Sequence, residues 1–184
     1  MIRRFALATT LATTLLVSGC SSMKLDQFQG TTPAFDLTGY FAGKTWAHGI
    51  FEGRGGEIKR QFRVEIDGHW EGEEFVLDED FVYDDGETDQ RTWRITPAGE
   101  GEYVGRAGDI VGTAEGREVG QALNWHYVLR LPYNDSTIDV TFDDWMIRRS
   151  ENVVINRATV SKFGIRVGEV TLFFTKSDPD GSGA

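Results

Sequence analysis

The chain has 184 residues, a formal net charge of −10 at pH 7 and a single cysteine. Its length fits one ordinary domain with a core of useful size. Because 29 acidic residues outnumber 19 basic ones, the surface repels phosphate backbones, and we expect no nucleic-acid partner.

The first nineteen residues predict a bacterial lipoprotein signal peptide. Arg3 and Arg4 form a positive start, and residues 5–17 form an apolar stretch that is too short for a stable membrane span. The run Val17-Ser18-Gly19-Cys20 matches the lipobox, in which the cysteine is alkylated and the bond before it is cut. An ordinary signal peptide that happens to contain a cysteine is the alternative. We therefore predict lipidation, with palmitate among the acyl chains, at Cys20.

A lipid on Cys20 predicts a membrane-anchored protein, since two or three acyl chains hold a protein stably on a bilayer. Ser21 and Ser22 follow the cysteine, with no aspartate directly after it. In lipoproteins of Gram-negative bacteria this pattern favours the outer membrane, with the domain facing the periplasm. Removal of residues 1–19 leaves a net charge of −12, so we expect the lipid rather than charge to provide the attachment.

The mature chain divides into three parts. Residues 20–34 are polar and lack periodicity, which predicts a lipidated N-terminus and tether. Residues 177–184 contain one proline and two glycines and predict a disordered tail. The single domain is therefore expected over residues 35–176, and with its one thiol alkylated it must be stabilised by its core rather than by a disulfide.

Apolar and polar side chains alternate through much of this domain. Phe62, Val64 and Ile66 alternate with Arg63 and Glu65. The same period of two runs through residues 122–131, 138–146 and 170–174. Alternation places one set of side chains on each face of a strand, so these segments predict sheets with one face on a core.

Turn sequences separate the alternating runs. Asp67-Gly68 and Asp84-Asp85-Gly86 are two of nine such signals, and Asp-Gly pairs between alternating runs are strong hairpin signals. Nine turns predict about ten antiparallel strands in an all-β, up-and-down meander, with no helical run of useful length. A meander of this length tends to close and remove its edges, which favours a calycin- or lipocalin-like β-barrel. A two-sheet β-sandwich is the alternative.

Two carboxylates fall on apolar faces of predicted strands. Glu79 shares a parity with Phe75, Leu77, Phe81 and Tyr83, whereas Asp144 shares one with Ile138, Val140, Phe142 and Met146. Because a buried carboxylate is costly without a partner, the strand over residues 152–162 should supply one, either Arg157 or Asn156 depending on register. We predict that Glu79, Asp144 and Arg157 meet as a polar cluster inside the barrel or at its mouth. A bulge that turns one of them outward is the alternative.

Signals for catalysis, cofactors and metals are thin. The chain has no nucleophile elbow, P-loop or dinucleotide-binding fingerprint, so no catalytic residue and no cofactor is assigned. The three histidines stand apart in sequence and no thiol remains free, which argues against a metal site.

Several stretches together carry a family resemblance: residues 77–87, Phe142-Asp143-Asp144-Trp145-Met146, residues 155–164 and Gly168-Glu169-Val170-Thr171. Over roughly residues 35–176 the chain resembles a family of Gram-negative lipoproteins known only as a domain of unknown function, DUF3833-like. The resemblance implies a lipobox-bearing envelope protein of this size and supplies no activity, cofactor or catalytic residue.

These observations favour a membrane-tethered binding module that holds or carries an apolar or amphipathic small molecule in its barrel. A structural or interaction lipoprotein with a filled barrel, meeting an unidentified protein partner, is the first alternative. A calycin-type isomerase or hydratase with a buried carboxylate is the second, and fold alone does not choose among the three.

Overall fold

The computed structural model describes residues 23–178 and 181. Within that part of the chain, ten antiparallel strands follow one another, each paired with its neighbour in sequence. Their bounds are β1 (Gly43–Gly53), β2 (Ile58–Glu71), β3 (Glu74–Tyr83), β4 (Thr88–Gly99), β5 (Glu102–Arg106), β6 (Ala114–Val119), β7 (Ala122–Tyr133), β8 (Ser136–Arg148), β9 (Val153–Lys162) and β10 (Ile165–Thr175).

The last strand returns to the first and closes the sheet. β10 pairs with β1 from Trp46 opposite Thr175 to Gly53 opposite Gly168. Every strand therefore has a hydrogen-bonded neighbour on both sides, which leaves the described sheet without an exposed edge. The predicted all-β meander and calycin-like closure are confirmed, and the two-sheet sandwich is wrong.

Alternation along the strands turns apolar side chains towards the interior, as predicted. In β7, Leu123, Trp125 and Tyr127 are buried. His126, which lies between Trp125 and Tyr127, and Arg130, farther along the strand, are exposed. In β2, Val64 and Ile66 are buried by the same periodicity. The inward side chains of all the long strands thus form one apolar core.

One end of the barrel is closed by a short helix that the alternation gave no reason to expect. Helix α1 (Leu37–Phe41) begins after Asp36, whose carboxylate accepts a hydrogen bond from the Gly39 amide at 2.9 Å. Phe41 packs edge-on against Phe174 of β10, with ring centroids 5.4 Å apart. Together with the buried Leu37 and Tyr40, it forms a floor across the strand ends.

The chain before this helix lies on the outer wall of the barrel. Phe28, at the end of a 3-10 helix (Leu25–Phe28), packs against Trp145, with ring centroids 6.3 Å apart. The Thr31 hydroxyl accepts a hydrogen bond from the Gln121 amide at 3.0 Å, in the β6–β7 turn. Trp145 points out of the barrel yet is only 9% exposed, because this segment covers it. Part of the predicted tether is therefore docked, and the division of the chain at residue 35 stays a prediction.

The opposite end of the barrel is open. The hairpin turns β1–β2, β3–β4, β7–β8 and β9–β10 and the loop between β5 and β6 surround it, and we call this end the mouth. No helix among the described residues has the length and apolar character needed to cross a membrane. The predicted signal peptide, Cys20 and most of the predicted tail lie outside the described residues.

Candidate functional site

A cavity of about 640 Å³ extends from the mouth into the barrel. Most of its wall is apolar, since β2, β3, β7, β8 and β10 turn aromatic and aliphatic side chains inward. These include Phe62, Phe81, Tyr127, Leu129, Phe142, Leu172 and Phe174. Its volume falls within the range of small-molecule pockets, and such pockets typically combine apolar walls with a few polar groups.

The first polar group of the cavity is built on three adjacent strands. Asp144 of β8 and Asn156 of β9 both point inward, because Asp144 is registered opposite Ala158, two residues from Asn156. The Asn156 amide donates hydrogen bonds to Asp144 Oδ1 and, at 3.3 Å, to the Trp145 carbonyl oxygen. The Tyr127 hydroxyl of β7 lies 3.5 Å from Asp144 Oδ2. We call Asp144, Asn156 and Tyr127 the inner cluster.

Burial changes the acid–base properties of the inner cluster. Loss of solvation raises the pKa of the Asp144 carboxyl from 3.8 to about 7, although hydrogen bonds from Asn156 and Tyr127 act in the opposite direction. Burial, followed by the nearby charge of Asp144, raises the pKa of the Tyr127 hydroxyl well above its ordinary value. Near neutral pH the cavity therefore holds a carboxyl that exists in both protonation states.

The second polar group surrounds Arg91 of β4. Its Nε donates to Glu79 Oε2 of β3 at 2.8 Å, and its Nη1 lies 3.4 Å from Asp109 Oδ2 of the β5–β6 loop. The guanidinium also lies over the rings of Phe81 and Trp93. Burial opposes its charge, but the nearby charges, of which Glu79 contributes most, together outweigh burial and raise the pKa of Arg91. Arg91, Glu79 and Asp109 form what we call the arginine cluster.

The structure does not bring Glu79, Asp144 and Arg157 together as the predicted cluster: Glu79 belongs to the arginine cluster, Asp144 to the inner cluster and Arg157 to neither. Glu79 and Asp144 both line the cavity. Arg157 lies on the outer face of β9, where its Nε meets Glu169 Oε1 of β10 at 2.7 Å and its side chain is 64% exposed. The register of β9 turns Asn156 inward instead, and adjacent residues of a strand face opposite ways.

Arg91 takes the place that was expected for Arg157. A signal for it was present, because Arg91 shares a parity with Trp93 and Ile95, both buried in β4. The same argument that identified Glu79 would have identified Arg91. Asp109 offered no such signal, because it lies in a loop rather than in a strand. The path of this loop depends on contacts with β7, where the Arg130 amide donates to the Asp109 carbonyl oxygen at 2.8 Å.

Metal binding has no support in the described part of the chain. There, no group of three or more histidine, cysteine, aspartate or glutamate side chains is arranged to hold an ion. Of the cavity carboxylates, Glu79 and Asp109 contact Arg91, and Asp144 belongs to the inner cluster.

Comparison with solved structures supports the fold. The S-type phycobiliprotein lyase CPES from Guillardia theta matches with a TM-score of 0.54 at 8% sequence identity, over 77% of this chain and 92% of that one. At this identity the likeness is one of fold alone. Comparison with curated proteins finds no match.

Comparison with protein families gives a match that covers both polar clusters. The family is described as "Protein of unknown function (DUF3833)", and its model matches residues 14–176. The matched range includes all ten strands, helix α1 and every cavity residue named above. The chain therefore belongs to the DUF3833 family.

Proposed function

We propose that this chain is a membrane-anchored lipoprotein whose barrel binds an apolar or amphipathic small molecule. The observation that carries the proposal is the cavity of about 640 Å³, which has mostly apolar walls, two polar clusters and one open end. A binding pocket needs this combination, because apolar area supplies affinity and a few fixed polar groups supply orientation. The likeness to the phycobiliprotein lyase is compatible with this use of the fold and names no ligand for this chain.

Native mass spectrometry of protein purified from cell envelopes tests the proposal directly. We expect a population that carries an additional small-molecule mass, and we expect the emptied protein to enhance the fluorescence of N-phenyl-1-naphthylamine. Detection of the chain alone, together with no response to this neutral apolar probe, would remove the proposal.

The proposed anchor is a lipid on Cys20, which would place the protein on the outer membrane facing the periplasm. It is supported by the lipobox sequence and by the absence of an aspartate directly after the cysteine. Residues 28–35 contact Gly120 and Gln121 at the closed end of the barrel, so the chain that follows the proposed anchor joins the domain at the end opposite the mouth. Metabolic labelling with palmitate should mark the wild-type chain and not Cys20→Ala, and equal labelling of both would exclude this anchor.

Of the alternatives, an acid–base catalyst is favoured by one specific observation. Asp144 combines a pKa of about 7 with a position in the cavity wall, and a carboxyl of this kind can give or take a proton near neutral pH. If the bound molecule is converted to an isomer or a hydrated product, Asp144→Asn should stop conversion while the chain still folds. A filled structural barrel, by contrast, is disfavoured by the cavity itself.

A further inference from the structure

The charges in the cavity wall are strongly unequal. Two arginines, Arg60 and Arg91, line the cavity together with five carboxylic acids, namely Glu79, Glu87, Asp89, Asp109 and Asp144. Even with Asp144 protonated, the wall therefore carries an excess of two negative charges. A cavity with this balance attracts cations and repels anions, most strongly where apolar walls limit solvent screening.

Neither arginine is available to bind an anionic ligand. The Arg91 guanidinium is shared between Glu79 and Asp109, at 2.8 and 3.4 Å. At the mouth, Arg60 contacts Glu87 and, at 3.3 Å, Asp85, while its guanidinium lies 3.6 Å from the centre of the Tyr83 ring. Each cation thus already faces two carboxylates, and a ligand carboxylate or phosphate would have to compete with both.

Two buried acceptors in the cavity wall, in contrast, lack donors among the described residues. Asn156 is fully buried and lines the cavity, and its Oδ1 has no hydrogen-bond donor among the described residues. Asp109 Oδ1, in the arginine cluster, is also buried and has no hydrogen-bond donor in the described part of the chain. A buried acceptor without a donor is costly, so a ligand that supplies N–H groups at these positions gains what the folded chain lacks.

Aromatic rings complete a setting that suits a cation. Tyr127 and Phe142 stack with their centroids 5.0 Å apart, next to Asp144 in the cavity wall. The face of an aromatic ring is electrostatically negative and attracts ammonium groups, particularly where water is excluded. The inner cluster therefore offers a carboxyl, an unpaired amide oxygen and ring faces within one small region.

From these contacts we infer that the ligand is an amphipathic amine, whose apolar body occupies the barrel and whose protonated amino group binds at the inner cluster. This inference rests on the proposed binding function and specifies its ligand class. The ammonium donates to Asn156 Oδ1 and to the Asp144 carboxyl, and the excess negative charge of the wall favours it over an acid of equal length.

A matched series of probes tests the head group. Dodecylamine, dodecanol and tridecanoic acid share one twelve-carbon alkyl chain, so their affinities for the purified protein at pH 7.5, measured by isothermal titration calorimetry, differ through the head alone. We expect the amine to bind at least about tenfold more tightly than the acid, with the alcohol between them, because the alcohol can donate to the buried acceptors but only the amine is also attracted by the negative charge of the wall.

The outcomes separate the two proposals. If none of the three probes binds, the binding function itself fails. If the acid binds as tightly as the amine or more tightly, the head-group inference fails while the binding function stands.

A pair of charge variants sharpens the result. Asp109→Asn removes one negative charge from the cavity with little change of shape, and it should weaken amine binding about threefold or more relative to alcohol binding. Asp139→Asn makes the same change on the outer wall, where Asp139 pairs with Arg130 at 2.8 Å, and should leave both affinities unchanged. Equal effects of the two variants on the amine would overturn the inference.

Discussion

Asp144 and Asn156 lie on the neighbouring strands β8 and β9, and the Asn156 side-chain amide donates a hydrogen bond to Asp144 Oδ1 within the barrel. Both residues are almost completely buried, at 6% and 0% exposure. The pair therefore joins a carboxyl with a raised pKa to an amide whose oxygen has no donor among the described residues. The predictions for stability follow from this chemistry.

The pKa of Asp144 predicts a pH-dependent stability. The folded state raises this pKa from 3.8 to about 7, so the protonated form stabilises the fold fully below about pH 4, and this stabilisation is lost as the pH rises to 7. Asp144→Asn removes the titration. The free energy of unfolding of the variant, relative to wild type, should rise by about 3 kcal/mol between pH 5 and pH 8.

Urea denaturation of both proteins at the two pH values provides the measurement. The matched control is Asp139→Asn on the outer wall of β8, whose lowered pKa arises mainly from Arg130. It should not reproduce the gain at pH 8. Parallel pH dependences of wild type and Asp144→Asn would contradict the assignment of Asp144 as the titrating group.

Loss of the Asn156 amide should destabilise the ionised form of Asp144. In Asn156→Ala the carboxyl loses a hydrogen bond that lowers its pKa, so that pKa should rise further above 7. We expect a loss of about 2 kcal/mol of unfolding free energy at pH 8 and a smaller loss at pH 5. Thr159→Ala, on the outward face of the same strand, is the control and should show no such pH dependence.

Filling the cavity should block binding without harming the fold. Leu172 of β10 lines the cavity, and Leu172→Trp places a larger side chain in the space that a ligand would occupy. We expect binding of N-phenyl-1-naphthylamine to weaken about tenfold, and the thermal midpoint to stay near that of wild type. Phe173→Trp is the matched control, since Phe173 points outward on the same strand and is 45% exposed. Unaltered probe binding by Leu172→Trp would show that the probe binds elsewhere.

The floor of the barrel depends on the close approach of Gly68 to helix α1. A Cβ atom at residue 68 would meet the carbonyl oxygen of Phe41, which belongs to the backbone and has little freedom to move. Gly68→Ala should therefore cost about 2 kcal/mol of unfolding free energy in a urea titration. Gly108→Ala, where a Cβ has no neighbour within 4 Å, should cost far less, and equal losses would disprove this explanation.

Two inward carboxylates were predictable because strand parity is local. Glu79 and Asp144 were identified from alternation along single strands, and the same rule would have identified Arg91 beside Trp93. Side chains of a strand alternate between its faces whatever the strand pairs with, so the sequence carries this information directly. The partner of Asp144 was not predictable in this way, because Asn156 and Arg157 exchange roles with a shift of one residue in the strand.

A period of two and the turn residues were enough to predict an all-β chain of about ten strands, its meander order and which side chains share a face of a strand. The tertiary structure was needed to show that helix α1 closes one end, that Phe28 covers Trp145, that Asp109 reaches Arg91 and that the barrel is hollow. Those features depend on contacts between residues far apart in the chain. Register, strand stagger and loop path determine such contacts, and no local periodicity encodes them.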